Sequence, residues 1–139
     1  MDTGQLAWQI DVELRAHGTA ERAENEKAYL KSELEHYGAT MPAIVSVVKS
    51  FKPRYLELDH DELLALVRAL WSVPVHEARM AAVEILEQNV TRLHPDDISD
   101  LERLLRESRT WALVDPLAAS IVGPLLEANP GLNAELDRW

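Results

Sequence analysis

Hydrophobic residues recur about every 3.6 positions along most of the chain, and no stretch alternates apolar and polar residues as a half-buried strand would. This spacing predicts eight helical segments separated by short breaks. The first two cover residues 5–15 and 23–36, and the third begins at Pro42 and carries apolar residues up to Phe51. The next three begin near residues 58, 76 and 94, the seventh includes residues 109–123, and the eighth follows residues 129–131.

Turn and capping residues stand at the predicted breaks. Gly38 opens the sequence GATMP, whose Pro42 suits the first turn of a helix. Pro53 in KPR breaks the third helix, and Pro74 ends the fourth. Asp59 has a glutamate three residues later, which is the spacing of a capping box at a helix start.

Helices of ten to fifteen residues recur in pairs at intervals of roughly forty residues, as in HEAT-type repeats. We therefore predict an all-α fold of HEAT-like helical hairpins that form a curved solenoid, with residues 1–139 in a single domain. A closed helix bundle is the competing architecture. The last predicted helix has an apolar stripe at Leu132, Leu136 and Trp139. We expect this stripe to be buried against further repeats, a partner protein or a second copy of the chain.

Composition and charge narrow the function classes. The 139 residues contain no cysteine, which excludes disulfide and thiolate chemistry and is compatible with a reducing, cytoplasmic compartment. The first residues lack the features of a signal peptide, and the longest uncharged run, residues 116–126, is too short to span a bilayer. We expect no contact with a membrane.

The formal net charge of −10 argues against a generic nucleic-acid-binding protein, since phosphate contacts need clustered Lys and Arg. Arg103, Arg106 and Arg109 are spaced three apart and could share a helix face. We expect such residues to pair with neighbouring acids on the same helix rather than to form a DNA-binding stripe.

Common catalytic motifs are absent from the sequence. It has no glycine-rich phosphate loop, no GxSxG nucleophile elbow, and no HExxH or other metal-ligand spacing among its five histidines. His60 and His94 each stand beside acids at a predicted helix start, so we expect both to be solvated capping residues. The sequence therefore predicts no metal site.

Three short stretches occur in a specific order. They are AYLKS with Tyr29 and Lys31, ALWSVPVHEARMAA at residues 69–82, and TWALVD with Trp111 and Asp115. Together with GATMP and a glycine eight residues after Asp115, this series resembles the AlkD-like DNA alkylation repair family of HEAT-like glycosylases. The resemblance extends over residues 20–130, and the chain would lack the family's C-terminal repeats.

The resemblance implies an enzyme that excises cationic N3- or N7-alkylated purines from double-stranded DNA, with no metal or organic cofactor. Asp115 would be the catalytic carboxylate that stabilises the sugar cation. Trp111 and Tyr29 would line the lesion site, and Lys31 would contact the DNA backbone. These residue types suit the chemistry, because a carboxylate and aromatic faces both stabilise a cation.

Each of these residues also has an ordinary structural role available. Asp115 precedes Pro116, a combination typical of a helix N-cap, and Trp111 and Tyr29 could be core residues. Even within the family, Trp71 is expected to pack between repeats and Glu77 to lie in the first turn of a helix. The alternative function is a non-catalytic helical-repeat scaffold that binds other proteins.

Overall fold

The computed structural model describes residues 2–107, 121 and 123–128. The regular elements of these residues are all helical, which confirms the predicted all-α class. In chain order the α-helices are α1 (Thr3–Ala16), α2 (Ala20–Leu30), α3 (Met41–Ser50), α4 (Lys52–Tyr55), α5 (His60–Ser72), α6 (His76–Gln88), α7 (Ile98–Glu107) and α8 (Gly123–Ala128). Two short 3-10 helices, Val90–Arg92 and Pro95–Asp97, connect α6 to α7.

Side-chain caps fix the starts of several helices. The Asp59 carboxylate accepts a hydrogen bond from the Glu62 backbone N–H at 2.8 Å, and the Glu62 carboxylate accepts one from the Asp59 N–H at 3.1 Å. This confirms the predicted capping box, which satisfies two backbone donors at the start of α5. Thr40 caps α3, where Pro42 stands in the first turn as predicted.

Two predicted boundaries were wrong. The second helix was expected to extend to residue 36, but α2 ends at Leu30, and Lys31 has a left-handed backbone with φ 52°. Lys31 was expected to lie within this helix, but it is the C-cap that ends α2. Pro53 was expected to mark a break, but the break after α3 lies at Phe51 and Pro53 stands in the first turn of the short helix α4, where proline is tolerated.

Four helices form the centre of the fold. α1 packs against α5 and α3, and α6 packs against α5 and α3. Among these four helices, the most extensive packing is that of α5 against α1 and α6. The largest fully buried side chains are Tyr55, Leu6, Ile10, Leu14, Ile44, Leu63, Leu66, Leu70, Ile85, Leu86 and Leu101. Their burial against one another is the main source of stability for the fold.

The connection between α2 and α3 is irregular but firmly attached. The Glu35 N–H donates to the Pro74 carbonyl at 3.1 Å, and the His76 N–H donates to the Glu35 carbonyl at 2.8 Å. Gly38 has a φ of 83°, and a Cβ atom at this position would lie 2.0 Å from the Thr19 carbonyl oxygen. Glycine is the residue that accepts such a backbone and such a close approach.

Among the described helices, none has the length and apolar character needed to cross a membrane.

Candidate functional site

A cavity of about 690 Å³ lies between α2, the start of α3 and α6. Its apolar lining includes Leu30, Met41 and Met80, and its polar lining includes Glu26 and His76. A concave, mixed surface of this size is typical of a small-molecule or nucleobase site. We therefore take this cavity as the candidate site.

Tyr29 lines this cavity from the last turn of α2. Its side chain is 78% exposed, so it is not a core residue, which was the alternative role considered for it. α2 as a whole contributes no buried residue to the core. An exposed aromatic ring on a surface helix adds nothing to the core, but its face is available to a ligand.

Lys31 follows Tyr29 by two residues and is also exposed. Its left-handed backbone ends α2, and its N–H donates to the Ala28 carbonyl at 3.3 Å. The end of α2 therefore presents an aromatic ring and an ammonium group close together in the chain.

Trp111 and Asp115 lie outside the described residues, as do Leu132, Leu136 and Trp139. The convergence of Trp111 and Asp115 with Tyr29, and self-association through the last helix, thus stay predictions.

Glu77 is a fully buried carboxylate in the first turn of α6. Its Oε1 atom accepts a hydrogen bond from the Tyr37 N–H at 2.9 Å, and its Oε2 atom accepts from the N–H groups of Gly38 and Ala39 at 3.1 and 3.2 Å. Three charge-assisted hydrogen bonds compensate the burial of a charge. Glu77 is thus structural, as predicted, and it holds the α2–α3 connection against α6.

Trp71 is also structural, with a side chain only 3% exposed. Its indole N–H donates to the Glu107 carboxylate at 2.8 Å, and the Arg79 guanidinium lies 4.9 Å from the centre of a Trp71 ring. These contacts connect α5, α6 and α7, as expected for a tryptophan that packs between repeats.

The arginines of α7 pair with acids of the same helix. Arg106 contacts Glu102 at 2.8 Å, while Arg103 lies 3.9 Å from Asp100 and 4.0 Å from Glu107. The prediction of local pairing is confirmed for these two residues, and Arg109 lies outside the described residues. The charges of Arg103 and Arg106 are thus partly neutralised by these pairs.

His60 does not act as the expected solvated cap. Asp59 caps α5, while the His60 ring stacks on His94 with 4.0 Å between ring centres. Its Nε2 atom lies 2.8 Å from the buried Asp97 carboxylate, and this hydrogen bond raises the pKa of His60. His94 occupies the N-cap position of the 3-10 helix Pro95–Asp97 and is exposed as predicted, but its side chain forms no cap hydrogen bond. Its backbone N–H donates to Asp97 Oδ2 at 2.7 Å instead.

A second histidine pair, His36 and His76, lies beside the cavity, and His76 lines it. The two rings stack with 4.5 Å between their centres and a 9° interplanar angle. The Glu26 Oε1 atom lies 3.0 Å from His36 Nδ1 and 3.8 Å from His76 Nε2. Burial and the neighbouring His36 lower the pKa of His76, which favours its neutral form.

Sequence spacing missed this cluster, because its members come from three segments. Glu26 lies on α2, His36 on the α2–α3 connection and His76 at the start of α6. The Glu35 and Val75 backbones pair in an isolated bridge and thereby bring the following histidines together. A local sequence signal would not have indicated this pairing.

The chain was also compared with known protein families. The sequence model of a family described as DNA alkylation repair enzyme matches residues 10–139. No curated protein matches the chain.

Proposed function

Because the chain belongs to the DNA alkylation repair enzyme family, we propose that it is a DNA glycosylase that excises cationic N3- or N7-alkylated purines from duplex DNA. The observation that carries the proposal is the exposed ring of Tyr29 at the wall of a cavity large enough for a nucleobase. The role in alkylation repair comes from the family, whereas the reaction and substrate are our proposal.

The chemistry of the substrate suits an aromatic site. An N3- or N7-alkylated purine carries a positive charge, and a cation within about 6 Å of an aromatic ring gains roughly 0.5–2 kcal/mol from the ring quadrupole. Stacking of the base on Tyr29 would add to this attraction and is tolerant of base identity. Tyr29 would thus favour a charged lesion over an undamaged purine.

Asp115 is the proposed catalytic residue. Cleavage of the glycosidic bond leaves an oxocarbenium-like sugar, and a carboxylate close to that sugar stabilises the developing charge. The base departs with the bonding electrons, which neutralise its positive charge. A water molecule then adds to the sugar cation and loses one proton to solvent, which leaves an abasic site. In this proposal Trp111 supplies a second aromatic face, and Lys31 contacts a phosphate of the DNA backbone.

Release of 7-methylguanine and 3-methyladenine from methylated duplex DNA tests the proposal. Replacing one carboxylate that stabilises a transition state is expected to reduce the rate by about 10²-fold or more, so Asp115→Asn should show at least this loss. Asp96→Asn is the matched control, because Asp96 is exposed near the start of α7. Circular dichroism verifies that all three proteins are folded.

Release by the parent chain that is unchanged in Asp115→Asn would contradict the assigned role. An absence of release by the folded parent would contradict glycosylase activity for this chain and favour the alternative, a non-catalytic interaction scaffold. One observation supports that alternative: Trp8 and Val12 stand one turn apart on α1 and are 64% and 42% exposed. An apolar pair of this kind is a suitable contact for a partner protein.

A further inference from the structure

Glu26, His36 and His76 each offer one metal-ligand atom, and these atoms all lie within 4.8 Å of one another. Among residues 2–107, 121 and 123–128, no other group of three or more His, Asp or Glu side chains meets this criterion. We infer that these three residues bind a divalent cation of the zinc class. The inference is independent of the proposed glycosylase activity.

The observed distances are close to those of a zinc site. Zinc binds histidine nitrogen and carboxylate oxygen at about 2.0–2.2 Å with tetrahedral geometry, which separates neighbouring ligand atoms by about 3.3 Å. Glu26 Oε1 lies 3.0 Å from His36 Nδ1 and 3.8 Å from His76 Nε2. These two separations lie on either side of the ideal value. Because the two rings stack with a 9° interplanar angle and an imidazole lone pair lies in the ring plane, at least one ring would also turn on binding so that both lone pairs meet at the cation.

The burial of the two histidines also bears on cation binding. A histidine binds a metal ion as a neutral imidazole, through a nitrogen whose lone pair is free. Both rings are buried, with side chains 1% and 7% exposed for His36 and His76. Binding requires that each neutral ring carry its hydrogen on the nitrogen that faces away from the metal.

The position of the Glu26 oxygen indicates that the cluster is incompletely satisfied without a ligand. Oε1 of Glu26 is within hydrogen-bond distance of His36 Nδ1, but the 3.8 Å separation from His76 Nε2 is too long for a hydrogen bond. His36 Nε2 and His76 Nδ1 face away from this oxygen and have no hydrogen-bond partner among the described residues. They would carry the ring hydrogens and would not contact the cation. A cation placed between the three groups would interact with all of them at once.

The set of ligands, two histidines and one glutamate, leaves one position of a tetrahedron open. Catalytic zinc sites have three protein ligands and an open position, whereas structural sites are closed by four. Glu26 and His76 both line the cavity, so the open position would face it and take a water molecule.

Zinc titration monitored by calorimetry, in the absence of DNA, tests the inference. We expect one equivalent of Zn²⁺ to bind to the parent chain, and a Kd that rises at least tenfold in Glu26→Gln and in His76→Gln. Glu26→Gln is the more informative variant, because it conserves shape on a helix with no buried residue. Co²⁺ in place of Zn²⁺ should give visible absorption typical of four-coordinate cobalt, which is lost in the same variants.

The second histidine pair provides a matched control. His60→Gln removes one ring of a stacked pair that has carboxylates nearby but does not belong to the cluster, so it should leave the Kd unchanged. Absence of stoichiometric binding to the folded parent would overturn the inference. So would binding that Glu26→Gln and His76→Gln leave intact, or that His60→Gln weakens equally.

Discussion

The Oε2 atom of Glu77 lies 3.1 Å from the backbone nitrogen of Gly38, a residue 39 positions earlier in the chain. The same carboxylate also accepts hydrogen bonds from the N–H groups of Tyr37 and Ala39. The buried carboxylate of Glu77 therefore holds residues 37–39, an irregular segment outside the helices. The stability of the α2–α3 connection should depend on this side chain.

Glu77→Gln should lower the free energy of unfolding by about 2–3 kcal/mol, because hydrogen bonds to a charged group are each worth about 1.5–3 kcal/mol. The glutamine amide would also place N–H donors against backbone N–H donors. Urea unfolding measures the change. Glu87→Gln, an exposed change on the same helix, should stay within about 0.5 kcal/mol. Equal stability of the parent and Glu77→Gln would contradict the anchoring role.

Gly38→Ala should destabilise the protein by roughly 2–5 kcal/mol. A left-handed backbone costs about 1–2 kcal/mol for an L-residue, and overpacking adds about 1–3 kcal/mol. The new methyl group would lie 2.0 Å from the Thr19 carbonyl oxygen. Gly4→Ala is the control, because the nearest atom to its methyl group is 3.4 Å away and Gly4 lies in α1. That change should be neutral or raise stability by up to about 1 kcal/mol, and a similar loss in both variants would refute this explanation.

Tyr29→Ala should reduce base release by about 5- to 150-fold, which corresponds to the roughly 1–3 kcal/mol of stacking per base. The side chain is 78% exposed, so thermal stability should change little. Single-turnover excision of 7-methylguanine measures the effect. Trp8→Ala removes another exposed aromatic ring, on α1, and should leave the rate unchanged. Equal rates for the parent and Tyr29→Ala would exclude Tyr29 from the lesion site.

The stabilising effect of His60 should depend on pH. The hydrogen bond to Asp97 raises the pKa of His60 in the folded state above its ordinary value of about 6.5. Protonation therefore favours folding, so the contribution is fully present below about pH 6.5 and is lost as the pH rises through the folded pKa. The stability difference between the parent and His60→Gln should be larger at pH 5.5 than at pH 9.

His76 has the opposite dependence, because its pKa is lowered in the folded state. Its contribution is present above about pH 6.5 and is lost as the pH falls through the folded pKa. This effect is common to the parent and His60→Gln, so it cancels in their difference. Denaturant titrations of both proteins at each pH provide the measurement, and a difference that does not change with pH would show that the His60–Asp97 bond is not linked to folding.

The sequence predicted those helix boundaries that depend on residues within one turn of the boundary. The capping box at Asp59 and the proline at residue 42 gave the starts of two helices, because a cap depends on residues within one turn. The end of α2 could not be predicted in this way. Leu34 continues the helical apolar spacing, but it reaches the core from an irregular segment that long-range pairing with Val75 holds in place.

The residues of the candidate site also differ in whether the sequence could indicate them. Tyr29 could be named from the resemblance to a family, and the structure places its ring at a cavity. The Glu26, His36 and His76 cluster could not be found, since it depends on where an irregular connection meets α6. Residues that become neighbours only through tertiary packing leave no periodic trace in the sequence.

The hydrogen bonds of the α2–α3 connection affect how readily this segment unfolds locally. The amides of Glu35, Tyr37, Gly38 and Ala39 are all hydrogen-bonded to acceptors in or just before α6. Release of this segment breaks four hydrogen bonds to the region of α6 and exposes the buried carboxylate of Glu77. Its amide hydrogens should therefore exchange about as slowly as those of the core helices, as expected if the connection and α6 unfold as one cooperative unit.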